Sequence, residues 1–141
     1  MLLFYNILIF SRNRIRPKGI NTREVREPPV GVVHGEFTKA LPWYEKASDS
    51  APDSFEKALA FSSLGYVHES LGKPTEALQS FQKALNLGEG SLKGDLLMGV
   101  ARSYEAVHDS ANARSTYDKI LTELPNTEYA KSAELFKDQL Q

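Results

Sequence analysis

The sequence predicts an all-α protein: a short solenoid of antiparallel helix pairs with a C-terminal capping helix. Three observations predict it. From Phe37 onward the apolar residues recur at intervals of three and four, the helical period. Breaks in that period fall at Gly, Pro and Asn clusters, where the chain can turn. The pattern also repeats: aligning Ala77 with Ala113 aligns Phe81 with Tyr117, Ala84 with Ile120, Gly65 with Ala101, Leu64 with Val100 and Phe61 with Leu97, a period of 36. A partial third copy sets Ala40, Tyr44, Ala47 and Pro52 against Ala77, Phe81, Ala84 and Glu89, at a period of 37.

Six helices follow, near 37–49, 53–71, 74–86, 92–107, 110–124 and 127–140. In "APDSFEKAL", Asp53 is placed to cap the second helix and Glu56 to reach back three residues later. That helix closes at "LGKP", where Gly72 suits the left-handed turn and Pro74 the first turn of the next helix. The "NLGEGSLKG" stretch reads as a flexible junction. Asn126 or Thr127 caps the last helix, whose apolar positions Tyr129, Ala133, Phe136 and Leu140 form a one-sided stripe that covers something. Upstream, residues 17–35 hold Pro17, Gly19, Pro28, Pro29, Gly31 and Gly35 and cannot form a regular helix, because adjacent prolines remove two amide donors.

The repeat has a physical reading. Gly65 facing Ala77, and Ala101 facing Ala113, let two antiparallel helices approach closely, while Phe81 or Tyr117 fills the groove beside the contact. Carrying these small-residue and aromatic positions, about three quarters of the chain resembles the tetratricopeptide repeat family. The resemblance implies a half repeat at 36–52, full repeats at 58–91 and 94–127, and a capping helix at 127–140, preceded by an irregular or apolar arm at 1–35. Three positions depart from the family pattern: Ile120 is bulky, His68 stands in place of tyrosine and Glu89 in place of proline. The segment "ELPNTEYAKSAELFKDQL" resembles the endings of small bacterial cell-envelope members.

Composition narrows the function. The chain has 141 residues, 41% hydrophobic and 25% charged, ordinary for a soluble globular protein. Residues 1–35 carry six Lys/Arg against two Asp/Glu, and residues 36–141 carry eleven against sixteen. An acidic body without a basic stripe argues against nucleic-acid binding, which rests on releasing counterions from phosphates. With no cysteine there is no disulfide or thiolate chemistry, and the redox compartment stays open. The apolar start, "MLLFYNILIF", is too short to span a bilayer and lacks the layout of a secretory leader. It leaves three readings: a shortened membrane anchor, an apolar segment packed on the body over Leu41, Trp43 and Tyr44, or an atypical chain start.

Chemistry finds no foothold. His34, His68 and His108 are scattered without metal-ligand spacing, "GEGSLKG" lacks the Gly-Lys-Ser/Thr ending of a phosphate loop, and no nucleophile elbow occurs. Glu56, Glu69, Glu76, Glu105 and Glu123 are spaced as a solvated helical face, and His68 is expected to pack and hydrogen-bond within its helix pair. The sequence therefore predicts a non-enzymatic protein with no cofactor and no metal.

The family resemblance implies a groove lined by the first helix of each pair that holds a protein or peptide partner. The matching positions are Leu59, Ser62, Tyr66, Glu69, Asp95, Met98, Arg102 and Glu105. Tyr66 and Met98 would supply apolar area, and Arg102 a bidentate pair with a partner carboxylate. Gly99, with Ser62 and Tyr66, stands where other members clamp a peptide's carboxylate, so a chaperone-tail clamp is not expected. The alternative is a self-associating assembly subunit, a homo-oligomer formed through its uncovered N-terminal edge, with a cytoplasmic location expected and an envelope or membrane-attached one as its rival.

Overall fold

A computed structural model describes residues 37–88 and 90–140. The expectations placed on residues 1–36 lie outside the described residues. Six α-helices run in order: α1 Phe37–Ser50, α2 Ser54–Ser70, α3 Pro74–Leu87, α4 Lys93–Ala106, α5 Ser110–Glu123 and α6 Glu128–Gln139. Among the described residues there is no strand.

Each helix packs on the next, and α2 with α4 and α4 with α6 also touch. The chain therefore alternates between two layers, with α2, α4 and α6 side by side in one and α1, α3 and α5 in the other. The central α2 is wrapped by α1, α3 and α4, and residues 58–60 and 62–67 are all buried. This explains a helix that is apolar nearly all round rather than along one stripe.

Local chemistry sets the ends. The Asp53 carboxylate accepts from the Glu56 amide at 2.8 Å, the Asp109 carboxylate from the Asn112 amide at 3.1 Å, and the Thr127 hydroxyl from the Ala130 amide at 3.2 Å. The reciprocal half of the capping box at Asp53 is not made. Glu56 instead leaves its Oε2 buried without a hydrogen-bond partner.

The α2–α3 and α4–α5 turns are the same turn, 36 residues apart. Gly72 (φ +69°) and His108 (φ +61°) both take the left-handed conformation. Lys73 N donates to His68 O and Asp109 N to Tyr104 O, each at 2.9 Å, the long closing bond of a Schellman motif. A side chain resists this conformation, and His108 is exposed. His108→Gly is expected to raise the unfolding free energy by about 1 kcal/mol or less, the relief of left-handed strain exceeding the added freedom of the unfolded chain; urea unfolding checks the sign.

Three buried clusters join the helices. Ala40 and Tyr44 of α1 pack on Leu64 and Val67 of α2. Leu59, Tyr66, Ala77, Phe81, Ala84, Leu96 and Val100 tie α2 and α3 to α4. Leu97, Ala101, Tyr117, Ile120 and Ala133 tie α4 and α5 to α6. Ile120, bulky for its place in the repeat, lies fully buried in the same cluster as the small Ala133 of α6. The stretch read as a flexible junction holds a 3-10 turn at Gly90–Leu92, and Leu92 is buried.

The Phe81 ring is a point of close packing between α2, α3 and α4. A Cβ at Gly65 would sit 2.5 Å from the ring and one at Gly99 would sit 2.9 Å from it. Glycines of two different helices thus clasp one ring. Expected to meet Ala77, Gly65 has its bare backbone pressed on Phe81 itself, and Gly99 has the same role rather than a clamp position. Gly94 of α4 is likewise pressed by the Tyr129 ring of α6.

Candidate functional site

The eight residues assigned to a groove fall on α2 and α4, neighbours in one layer, and the structure divides them by exposure. Leu59, Ser62, Tyr66 and Met98 are buried, whereas Glu69, Asp95, Arg102 and Glu105 are half-buried. Tyr66 is 4% exposed and Met98 8%, so the apolar area assigned to a partner is spent inside the chain. The Tyr66 ring meets Phe81 edge-on at 5.1 Å, and Met98 packs beside Leu97 and Tyr117.

The polar half forms a connected network. Arg102 Nε donates to Glu69 Oε1 and its NH2 to Oε2, both at 3.1 Å, a fork-on-fork pair between α4 and α2. The guanidinium also lies over the Tyr66 ring, 5.9 Å from its centroid. The fork assigned to a partner's carboxylate is thus engaged by the chain's own Glu69. Burial opposes the Arg102 cation, but Glu69's hydrogen bonds and charge outweigh it and raise the pKa. On the other flank, Tyr129 of α6 donates to Asp95 Oδ1 at 3.0 Å. Burial raises the Asp95 pKa against this bond, and burial with the Asp95 charge pushes Tyr129 up to about 12. Tyr66 rises to about 12 as well, through burial and then the Asp95 charge.

Glu105 is turned away from this network, accepting a short hydrogen bond from the Tyr117 hydroxyl of α5. Glu123 is held by Lys93 at 2.7 Å. The carboxylates expected on a solvated face are therefore mostly drawn into contacts between helices, because stacking covers that face. Tyr129 was missed as a member of the site. Its signal was present: it heads the apolar stripe of α6, and Gly94 within α4 marks the place where a ring must come close.

Orphaned polar atoms gather on α2. Among the described residues, the buried side-chain atoms without a hydrogen-bond partner are Glu56 Oε2, Ser62 Oγ, the Tyr66 hydroxyl and His68 Nδ1. Other buried serines bond back to their own helix, Ser63 to Leu59 O and Ser103 to Gly99 O. Ser62 does not. Burial lowers the His68 pKa and Lys73 adds to this, against the charges of Glu76 and Glu45. Its Nδ1 is buried without a hydrogen-bond partner. With the folded pKa below 6.5, the unfolded chain binds the extra proton, so this contribution to stability is complete above about pH 6.5 and is lost as the pH falls through the folded value. Urea midpoints at pH 7.5 and 5.5 are expected to differ more in the wild type than in His68→Gln.

No cluster of three or more His, Asp or Glu suited to a metal occurs among the described residues, and none of their helices is long and apolar enough to cross a membrane.

Stacked antiparallel helix pairs in two layers, with glycines and alanines at the close contacts, define a helical-repeat protein of the α-solenoid class. Residues 58–87, which span most of α2 and all of α3, match the family model described as tetratricopeptide repeat. That stretch is a tetratricopeptide repeat, and such repeats serve in general as protein-interaction scaffolds. No curated protein and no solved structure matches the chain.

Proposed function

We propose that the chain works by binding rather than catalysis, presenting the face formed by α2, α4 and α6 to a polypeptide partner. One observation supports this most directly. Helices from successive pairs lie side by side in one layer, so Glu69, Asp95, Arg102 and Tyr129 form a preorganised polar surface across three helices. Buried Leu59, Ser62, Tyr66 and Met98 fix that surface from beneath. A ready-made surface binds without the entropic cost of ordering, which favours recognition of an extended segment.

Capture from an extract tests this reading. The full chain and Arg102→Ala, Asp95→Ala and Gln79→Ala variants would be compared by mass spectrometry. A specific polypeptide retained by wild type and the exposed Gln79→Ala control on α3, and lost with the other two, supports the site. A partner lost with none of them would place binding elsewhere.

Self-association through α1 is the competing reading. Light scattering across a concentration series separates the two, since self-association grows with concentration and is abolished by making Trp43 polar.

A further inference from the structure

Of the six helices, α6 buries least of itself. Ala133 alone among its residues is buried, against three residues in α5 and eight in α4. Tyr129, Phe136 and Leu140 reach the core in part, and Leu135 is 57% exposed. The rest of its hold is polar and lies at the rim. Tyr129 donates to Asp95 at 3.0 Å, Lys137 pairs with Asp118, and the Arg114 guanidinium donates to the Leu140 carbonyl at 2.7 Å. The last two contacts are exposed, and water and salt leave such contacts little worth.

Length adds to this. At 12 residues α6 is too short to stay helical by itself in water, so leaving α4 and α5 also melts it, and the regained chain entropy offsets part of the lost contact. The link suits such release. Residues 124–127 join α5 to α6; Pro125 keeps α5 from running on through them. Asn126 sits at φ +62°, a left-handed conformation that it leaves when the link extends.

The surface beneath α6 is its opposite. Leu97 of α4 and Tyr117 and Ile120 of α5, which share a cluster with Ala133, are at most 1% exposed. Uncovered, they form an apolar cleft that water disfavours. The cleft also has a register, because the bare backbone of Gly94 seats one aromatic ring. An occupant must bring a ring to Gly94, a small residue four positions later, and apolar groups three and four positions after that. Tyr129, Ala133, Phe136 and Leu140 meet this demand, and a second copy of the chain carries the same four.

We propose that α6 is an exchangeable element, which detaches while the other helices stay folded and whose vacated cleft takes the α6 of a second copy, giving a reciprocally swapped dimer. Every contact given up within one copy is remade in the pair, so the two forms differ in the link and in the entropy of association. Concentration then selects between them. This goes beyond the binding face and holds whether or not that face takes a partner.

The test follows the full chain in three ways. In dilute wild type, α6 amides are expected to exchange with solvent as one group, at least about tenfold faster than those of α5. At millimolar concentration, wild type and Trp43→Asp are expected to form a dimer, and Ala133→Asp, whose α6 docks in neither copy, to stay monomeric. A fluorescein-labelled synthetic peptide of residues 124–140 is expected to bind Ala133→Asp at least about tenfold more tightly than wild type. Adding Gly94→Ala, which fills the seat of the Tyr129 ring, should abolish that binding. Protected α2 and α3 amides in Ala133→Asp show that the rest of the chain is folded, and the two wild-type measurements stand even if it is not. Four results would overturn the proposal: α6 amides exchanging no faster than those of α5, a wild type monomeric throughout, a dimer lost with Trp43→Asp and kept with Ala133→Asp, or peptide binding indifferent to Gly94→Ala.

Discussion

Phe81→Ala is expected to lower the unfolding free energy by about 3–5 kcal/mol, the usual cost of emptying a fully buried aromatic site. The ring is completely buried, meets Tyr66 edge-on and is clasped by Gly65 and Gly99. Both glycines lack a side chain that could move into the void, so the cavity stays open and the cost falls at the high end. Against a total stability of about 5–15 kcal/mol, such a loss leaves a chain close to unfolding at ordinary temperature. Urea unfolding measures it, and a change below about 1 kcal/mol would mean that the ring does not organise the core.

The second large effect runs the opposite way, by addition. Replacing glycine with alanine inside a helix ordinarily stabilises by about 0.5–1 kcal/mol through backbone entropy. At Gly65 the new Cβ would press into the Phe81 ring at 2.5 Å, and overpacking a filled core costs about 1–3 kcal/mol. The clash wins, so Gly65→Ala is expected to destabilise. A double-mutant cycle with Phe81→Leu isolates the cause: the alanine should cost at least about 0.5 kcal/mol less once the ring is gone. Strict additivity would show that Gly65 is present for some other reason.

Helix boundaries were legible in the sequence nearly to the residue, because the capping and turn signals at Asp53, Gly72, Pro74 and Thr127 act locally and each has a short-range cause. The repeat was legible for the same reason at longer range, since Phe81 and Tyr117 occupy equivalent places in equivalent helix pairs. What did not show was which atoms meet across helices. Tyr66 read as a surface anchor because its neighbours in sequence cannot show that α3 and α4 close over it. Arg102 read as free because Glu69, its partner, is 33 residues away on another helix. Gly99 was set beside the peptide groove by family position, although a glycine in mid-helix is itself a sign that something large must come close. Charges spaced along one helix likewise look solvated until a second helix arrives to pair with them.

The clasp on Phe81 also governs how the rod can flex. Bending between α2 and α4 would drag a rigid ring across two bare stretches of main chain, and neither has a soft side chain to yield. The farther junction has a lock of the same kind, the Tyr129 ring of α6 pressed on the bare backbone of Gly94 in α4 and tied to Asp95. Both junctions of the α2–α4–α6 layer are therefore stiffened in the same way, and a visitor bridging α4 and α6 would meet a surface that resists bending as the one between α2 and α4 does.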